Sequence, residues 1–133
     1  MEKRGYPTWD IGVVMNAFAE KYLDYVEKFI KAECAGIDFW INNSEKTAAI
    51  IAEELSLPPA DAVRMMNGTT MVPCDKQLTA QYLGSSAKKG QFVDTLLATG
   101  DFLVKQERLP KLLPRKDFEA FLIPAYIEKV LGK

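Results

Sequence analysis

The sequence predicts a mainly α-helical domain with one β-strand at its N-terminal end. From Tyr22 onward apolar residues recur at spacings of three and four, the period of helices with one buried face. Proline, glycine, asparagine and serine interrupt that pattern often enough to divide it into several helices. Only "DIGVVM", Asp10 to Met15, departs from it. β-Branched residues and a glycine in an unbroken apolar run read as a short strand buried on both faces. Pro7 ahead of it fits a strand entry.

The helices follow in order. The first begins near Asn16 or Ala17, with Tyr22, Val26, Phe29, Ile30, Ile37, Trp40 and Ile41 on its apolar side. Gly36 weakens its middle without ending it. Asn42 and Asn43 favour a turn, Ser44 is the expected N-cap of the next helix, and Glu45 suits its positive end. Ile50, Ile51 and Leu55 are that helix's expected apolar face. In "SLPPADAVRMMNG", Pro58 or Pro59 suits a first helical turn and Gly68 a left-handed C-terminal position. Met65 and Met66 there read as core filler. "TTMVPCDKQLTAQYLGSSAKKG" reads as mainly loop, with a short helix over residues 75–82 and a mobile link at 84–90. It lacks the Gly-Lys-Ser/Thr order of a phosphate loop. "GQFVDTLLATGDFLVKQERLP" is an amphipathic helix with Phe92, Leu96, Thr99 and Leu103 on one face, ended by Pro110. "LPRKDFEAFLIPAYIEKVLGK" gives two short helices split at Pro124. No connection is long enough to separate two cores, so residues 1–133 are expected to form a single domain.

Composition removes several function classes. With 17 basic and 18 acidic residues the net charge is -1, which gives no footing for nucleic acid or an anionic membrane surface. No apolar run reaches membrane-spanning length, so membrane insertion is not expected. "MEKRGYPTWD" has no apolar h-region, so this stretch is not a signal peptide and the chain as it stands is expected in the cytoplasm. Histidine is absent, which removes Ser-His and Cys-His nucleophiles and imidazole metal ligands. No carboxylate pair has a spacing suited to acid–base work. The expectation is a protein that is not an enzyme and holds no metal or cofactor. Cys34 and Cys74 lack the spacing of a zinc site. Cys34 falls in the series Val26, Ile30, Cys34, Ile37, Ile41. Both read as structural thiols, and the sequence leaves open whether they pair.

The strongest polar cluster is Thr8, Trp9 and Asp10, at the start of the expected strand. Trp9 offers a π face for an apolar ligand body or a cation, Asp10 an anion for an amine, and Thr8 a hydroxyl. The alternative is packing for Trp9, a turn for Thr8 and solvation for Asp10. Of the five tyrosines, Tyr22, Tyr25, Tyr82 and Tyr126 read as half-buried packing residues.

The order of these features resembles the C-terminal part of the periplasmic substrate-binding proteins of ABC importers. The resemblance is to the taurine, aliphatic sulfonate and nitrate group, and within it to taurine-type members. "PTWDIGVVMNAFAEKY" is similar to that group's return strand and following helix start. "FIKAECAGIDFWINNSEKTAAIIAEELSLPPADAVRMMNG" is similar to its long helix, Asn-rich turn, Ala-rich helix and Leu-Pro-Pro-x-Asp start. "QFVDTLLATGDFLVKQERLP" and "DFEAFLIPAYIEKVL" are similar to its later segments. The resemblance implies a partial lobe of a type II periplasmic-binding-protein-like α/β fold. It implies an amino-sulfonate or similar solute as ligand, with Asp10 toward the ammonium and Trp9 and Thr8 beside it. It further implies an ABC permease as partner of a full-length parent that is periplasmic, or extracellular and lipid-anchored. A related branch of that fold makes a thiamine pyrimidine using histidine, which this chain lacks. Family members commonly carry proline where this chain has Leu23, so the first helix is expected to run on unbroken. With half a cleft, the isolated chain is expected to bind little ligand. With no strand to pair with its own, it is expected to form a homo-oligomer. The alternative is a stand-alone, mostly helical interaction module that homodimerises.

Overall fold

The computed structural model describes residues 9–133. Among them the chain forms eight helices: α1 (Asn16–Lys21), α2 (Leu23–Asn42), α3 (Ser44–Glu54), α4 (Pro59–Asn67), α5 (Cys74–Gln77), α6 (Phe92–Lys105), α7 (Arg115–Phe121) and α8 (Ala125–Val130). The mainly helical expectation holds, and the expected strand does not. Residues 10–15 are not a strand, and Met15 is extended (φ -70°, ψ 135°). Among the described residues, no backbone N–H or C=O of residues 10–14 finds a backbone partner. A strand exists only through a neighbour's ladder, and the one β-bridge among the described residues pairs Gly84 with Lys89. Pro7 lies outside the described residues.

The long first helix is broken, not continuous. Tyr22 leaves the helical region (φ -132°, ψ 46°) and separates α1 from α2. Its ring bridges the break, 5.0 Å from Phe18 and 6.0 Å from Tyr25. At the far end of α2 both asparagines act as expected of a turn. Asn42 Nδ2 donates to the Asp38 carbonyl (2.8 Å) and Asn43 Nδ2 to the Phe39 carbonyl (3.2 Å), which also accepts the Asn43 backbone N–H; such local bonds compete with continuation of the helix. Asn43, not Ser44, is the N-cap of α3, with no side-chain capping bond.

α3 and α4 pack through small residues. Ala48, Ala52 and Ala62 are buried together with Met66, while of the expected apolar face Ile51 is half-buried and Ile50 and Leu55 stay exposed. Alanine lets the two backbones approach closely. Met65 is likewise exposed, so only Met66 fills core. Pro59 begins α4 as expected. Gly68 ends it at φ -88°, so the left-handed position is not there. Instead Ser56 (φ 52°) and Glu107 (φ 55°) adopt that conformation just past α3 and α6. Each closes the Schellman pair: Leu57 N–H to Ala52 and Ser56 N–H to Glu53, then Arg108 N–H to Leu103 and Glu107 N–H to Val104. α6 therefore ends at Lys105, well before Pro110.

α5 is shorter than the helix expected over residues 75–82. Thr79 Oγ1 donates to the Lys76 carbonyl (2.7 Å), a local bond that competes with helix continuation. The chain then turns repeatedly up to α6. The two cysteines correct another expectation: Cys34 on α2 and Cys74 on α5 are joined in a disulfide, with Cα atoms 5.6 Å apart. A tight core lies around the first turn of α6, where Phe92, Val93 and Leu122 are buried against Leu83, Leu96, Leu97 and Phe118. α7 and α8 are separate helices, as expected, with buried Pro124 at their junction. α8 packs on α2, and Lys129 pairs with Glu27 across that contact.

Candidate functional site

The site is built from the segment that reads as loop in the sequence. After α5 the backbone doubles back. Gln91 N–H donates to the Ala80 carbonyl (2.8 Å), Gly90 N–H to Leu83 (2.8 Å) and Phe92 N–H to Tyr82 (3.1 Å). Two glycines make this possible. Gly84 has φ 77°, and a Cβ at Gly90 would collide with the Tyr82 carbonyl oxygen. The result is a closed turn over the stretch 84–90 that reads in the sequence as a mobile link. Ser85 N–H bonds Lys88, and the Ser86 N–H and hydroxyl both donate to the Glu128 carboxylate on α8. Those two bonds, the hydroxyl's first, hold the Glu128 pKa below the ordinary glutamate value.

This closed turn places Tyr82 beside Phe92, and Trp9 packs on both. Its ring stands edge-on to Tyr82 (centroids 5.6 Å, 84°) and to Phe92 (5.6 Å, 81°). Edge-to-face geometry is the favoured arrangement for aromatic quadrupoles. Both readings of Trp9 thus have a physical basis: it packs, and it remains exposed enough to offer ring surface. Asp10 is exposed, and among the described residues its carboxylate makes no ion pair or side-chain hydrogen bond. Thr8 lies outside the described residues.

Tyr82 also lines an open cleft of about 430 Å³ with Thr70, Met71, Pro73, Lys76 and Gln81. The volume suits a small molecule. Asp10 and Trp9 do not line it. Tyr82 and Phe92 are the residues sequence reading misses as partners of Trp9, because their approach depends on the turn at 84–90. The remaining charged groups tie elements together. Arg115 on α7 bridges Asp94 of α6 and Glu119, and its hydrogen bond to Asp94 leads in raising its pKa. Among the described residues no group of His, Cys, Asp and Glu is arranged to hold a metal ion, and no helix is long and apolar enough to cross a membrane.

The chain is similar to the taurine-binding periplasmic protein of Escherichia coli (strain K12). The two are 25% identical over 131 residues, a match that spans 93% of the chain and 38% of the relative. The chain thus covers about two-fifths of the length of the relative it matches. The taurine-binding relative is a binding protein by name, not an enzyme. No protein-family model matches the chain, and no solved structure matches it.

Proposed function

We propose that the chain is the C-terminal portion of a solute receptor for taurine or a related sulfonate, serving an ABC importer. The observation that carries this reading is the similarity to a taurine-binding periplasmic protein along 93% of the chain. Residues 10–15 support it. They are outside any helix, apolar from Ile11 to Met15 with Val13 86% exposed, and the backbone groups of residues 10–14 lack backbone partners among the described residues. That is the condition of a sheet strand without its neighbours. A disulfide fits an oxidising compartment such as the periplasm or cell exterior, where receptors of this kind meet their solutes.

In the parent receptor Asp10 binds the ligand ammonium, Trp9 covers its short carbon body and Thr8 donates a hydroxyl. Closure of two lobes on the ligand presents the closed form to a permease. A single lobe fragment holds half of such a cleft. Calorimetry of the isolated chain with taurine is expected to give no binding heat, and micromolar binding would refute the half-cleft account. Replacing the matching part of the E. coli protein with this chain gives a chimaera whose folding is checked by circular dichroism. A folded chimaera is expected to bind taurine, at least about tenfold more weakly with Asp10→Asn, because a paired charge is lost. A folded chimaera that does not bind overturns the receptor reading.

A second reading rests on a different observation. The chain exposes 10169 Å², where a folded monomer of this size exposes about 7,000 Å². On that reading it is a helical module that self-associates and buries the excess.

A further inference from the structure

α1 and α2 share a seam that the ligand site does not use. Phe18, Tyr22, Tyr25, Phe29, Ala32 and Gly36 follow one another at alternating spacings of four and three, the heptad pattern of a coiled-coil face. Phe39 continues the pattern. All of them are exposed: Phe18 by 42%, Tyr22 by 37%, Tyr25 by 61% and Phe29 by 59%. The break at Tyr22 does not interrupt the seam, since its ring touches those of Phe18 and Tyr25. The side turned inward lies about a quarter-turn round the same helices, where Ala19 and Val26 are buried.

The seam has two unlike halves. Its first half is a row of aromatic knobs. Its second half is a notch, because Ala32 carries only a methyl group and a Cβ added at Gly36 meets nothing within 4 Å. Knobs need holes. A parallel pair of these helices would set ring on ring and notch on notch. An antiparallel pair sets Tyr25 and Phe29 of each copy against the notch of the other, with Tyr22 opposite Phe39 at the ends, so the surface is complementary to itself under a twofold axis. The area is sufficient: the chain-wide excess exposure is on the order of 3,000 Å² per copy, and an obligate dimer takes about 1,000–2,500 Å² from each copy, of which this seam supplies a part.

We infer that this seam is where a second copy of the chain docks, antiparallel, with the twofold axis between Phe29 and Ala32. Phe29 then faces the partner's Ala32, and Tyr25 enters the space over the partner's Gly36. The inference deepens the self-association reading and is independent of the receptor reading.

Light scattering across a dilution series tests it. The unmodified chain is expected to dimerise. Phe29→Glu and Gly36→Leu are each expected to raise the dissociation constant by about tenfold or more, since both act at the centre of the interface. Gly36→Leu also improves the helix propensity of α2, so the thermal stability of the dilute monomer should not fall. That separates a filled notch from a damaged fold. Val13→Glu, outside the seam, should leave the constant unchanged. A chain that stays monomeric at every concentration overturns both the seam and the self-association reading. A dimer indifferent to both seam substitutions but lost with Val13→Glu overturns the seam alone and moves the interface to residues 10–15. Tighter association with Gly36→Leu overturns the antiparallel pairing.

Discussion

The α6–α7 unit and the α1–α2 arm are both rich in aromatic and aliphatic side chains, yet they bury them very differently. Around Phe92 the apolar groups come from four separate stretches of chain: Trp9, the turn before α6, α6 itself, and α7 with its junction to α8. Along α1 and α2 the aromatics come from one stretch and lie on one outward line. A helix buries a face only against another element. α6 finds α7, whereas the outer side of α2 finds nothing within its own described chain. Hydrophobic content alone does not place a core. The long-range partners do.

The largest test of this contrast is a pair of truncations. Phe92→Ala is expected to cost about 3–5 kcal/mol, because it empties a packed site. Phe29→Ala in dilute monomer should change stability by less than about 0.5 kcal/mol, as an exposed substitution does. Urea unfolding followed by circular dichroism measures both. Equal losses would mean that the arm is as well packed as the α6–α7 unit.

Next in size is the link between α2 and α5. The disulfide closes a separation of 40 residues, and fixing a loop of that length stabilises by roughly 3–4 kcal/mol on the chain-entropy account. Reduction should lower the unfolding midpoint by a corresponding amount. The loss should be felt in α2 and α5 before α6, which hydrogen exchange resolves. Uniform loss of protection would show the two regions to be one cooperative unit.

Legibility in the sequence followed the same division. α6 through α8 are readable because their signals are local: a clean helical period for α6, then Pro114 and Pro124 at the starts of α7 and α8, although the end of α6 comes before the Pro110 that the sequence favours. The division of α3 from α4 is readable for the same reason. What escapes the sequence depends on distant partners. Cys34 and Cys74 meet only once α2 and α5 are docked. Residues 10–15 have strand composition, but a strand needs a neighbour. The packed face of α3 is Ala48 and Ala52 because α4 approaches closely there, while periodicity favours the larger Ile50 and Leu55. The left-handed turns at Ser56 and Glu107 escape because residue preference assigns that conformation to glycine. At the candidate site, Trp9 is singled out by its type, but Tyr82 and Phe92 are joined to it by a turn whose closure rests on Gly84 and Gly90.

The smallest expected effect concerns how that turn is held. Ser86 donates to Glu128 with both its backbone N–H and its hydroxyl, so the ionised carboxylate is favoured in the folded state and its pKa is depressed. A depressed carboxylate contributes stability above its unfolded-state value, near 4.5. The contribution fades as pH falls through the folded value. Glu128→Gln keeps an acceptor oxygen but loses the charge that strengthens both bonds. The variant should therefore be slightly less stable than the parent at neutral pH and should converge with it at acid pH. The group is exposed, so the difference is small, and it should shrink further in salt. Matched urea titrations at neutral and acid pH check this. A gap that persists at acid pH would mean that Glu128 acts on the turn through packing, and that the bonds from Ser86 are not what closes it against α8.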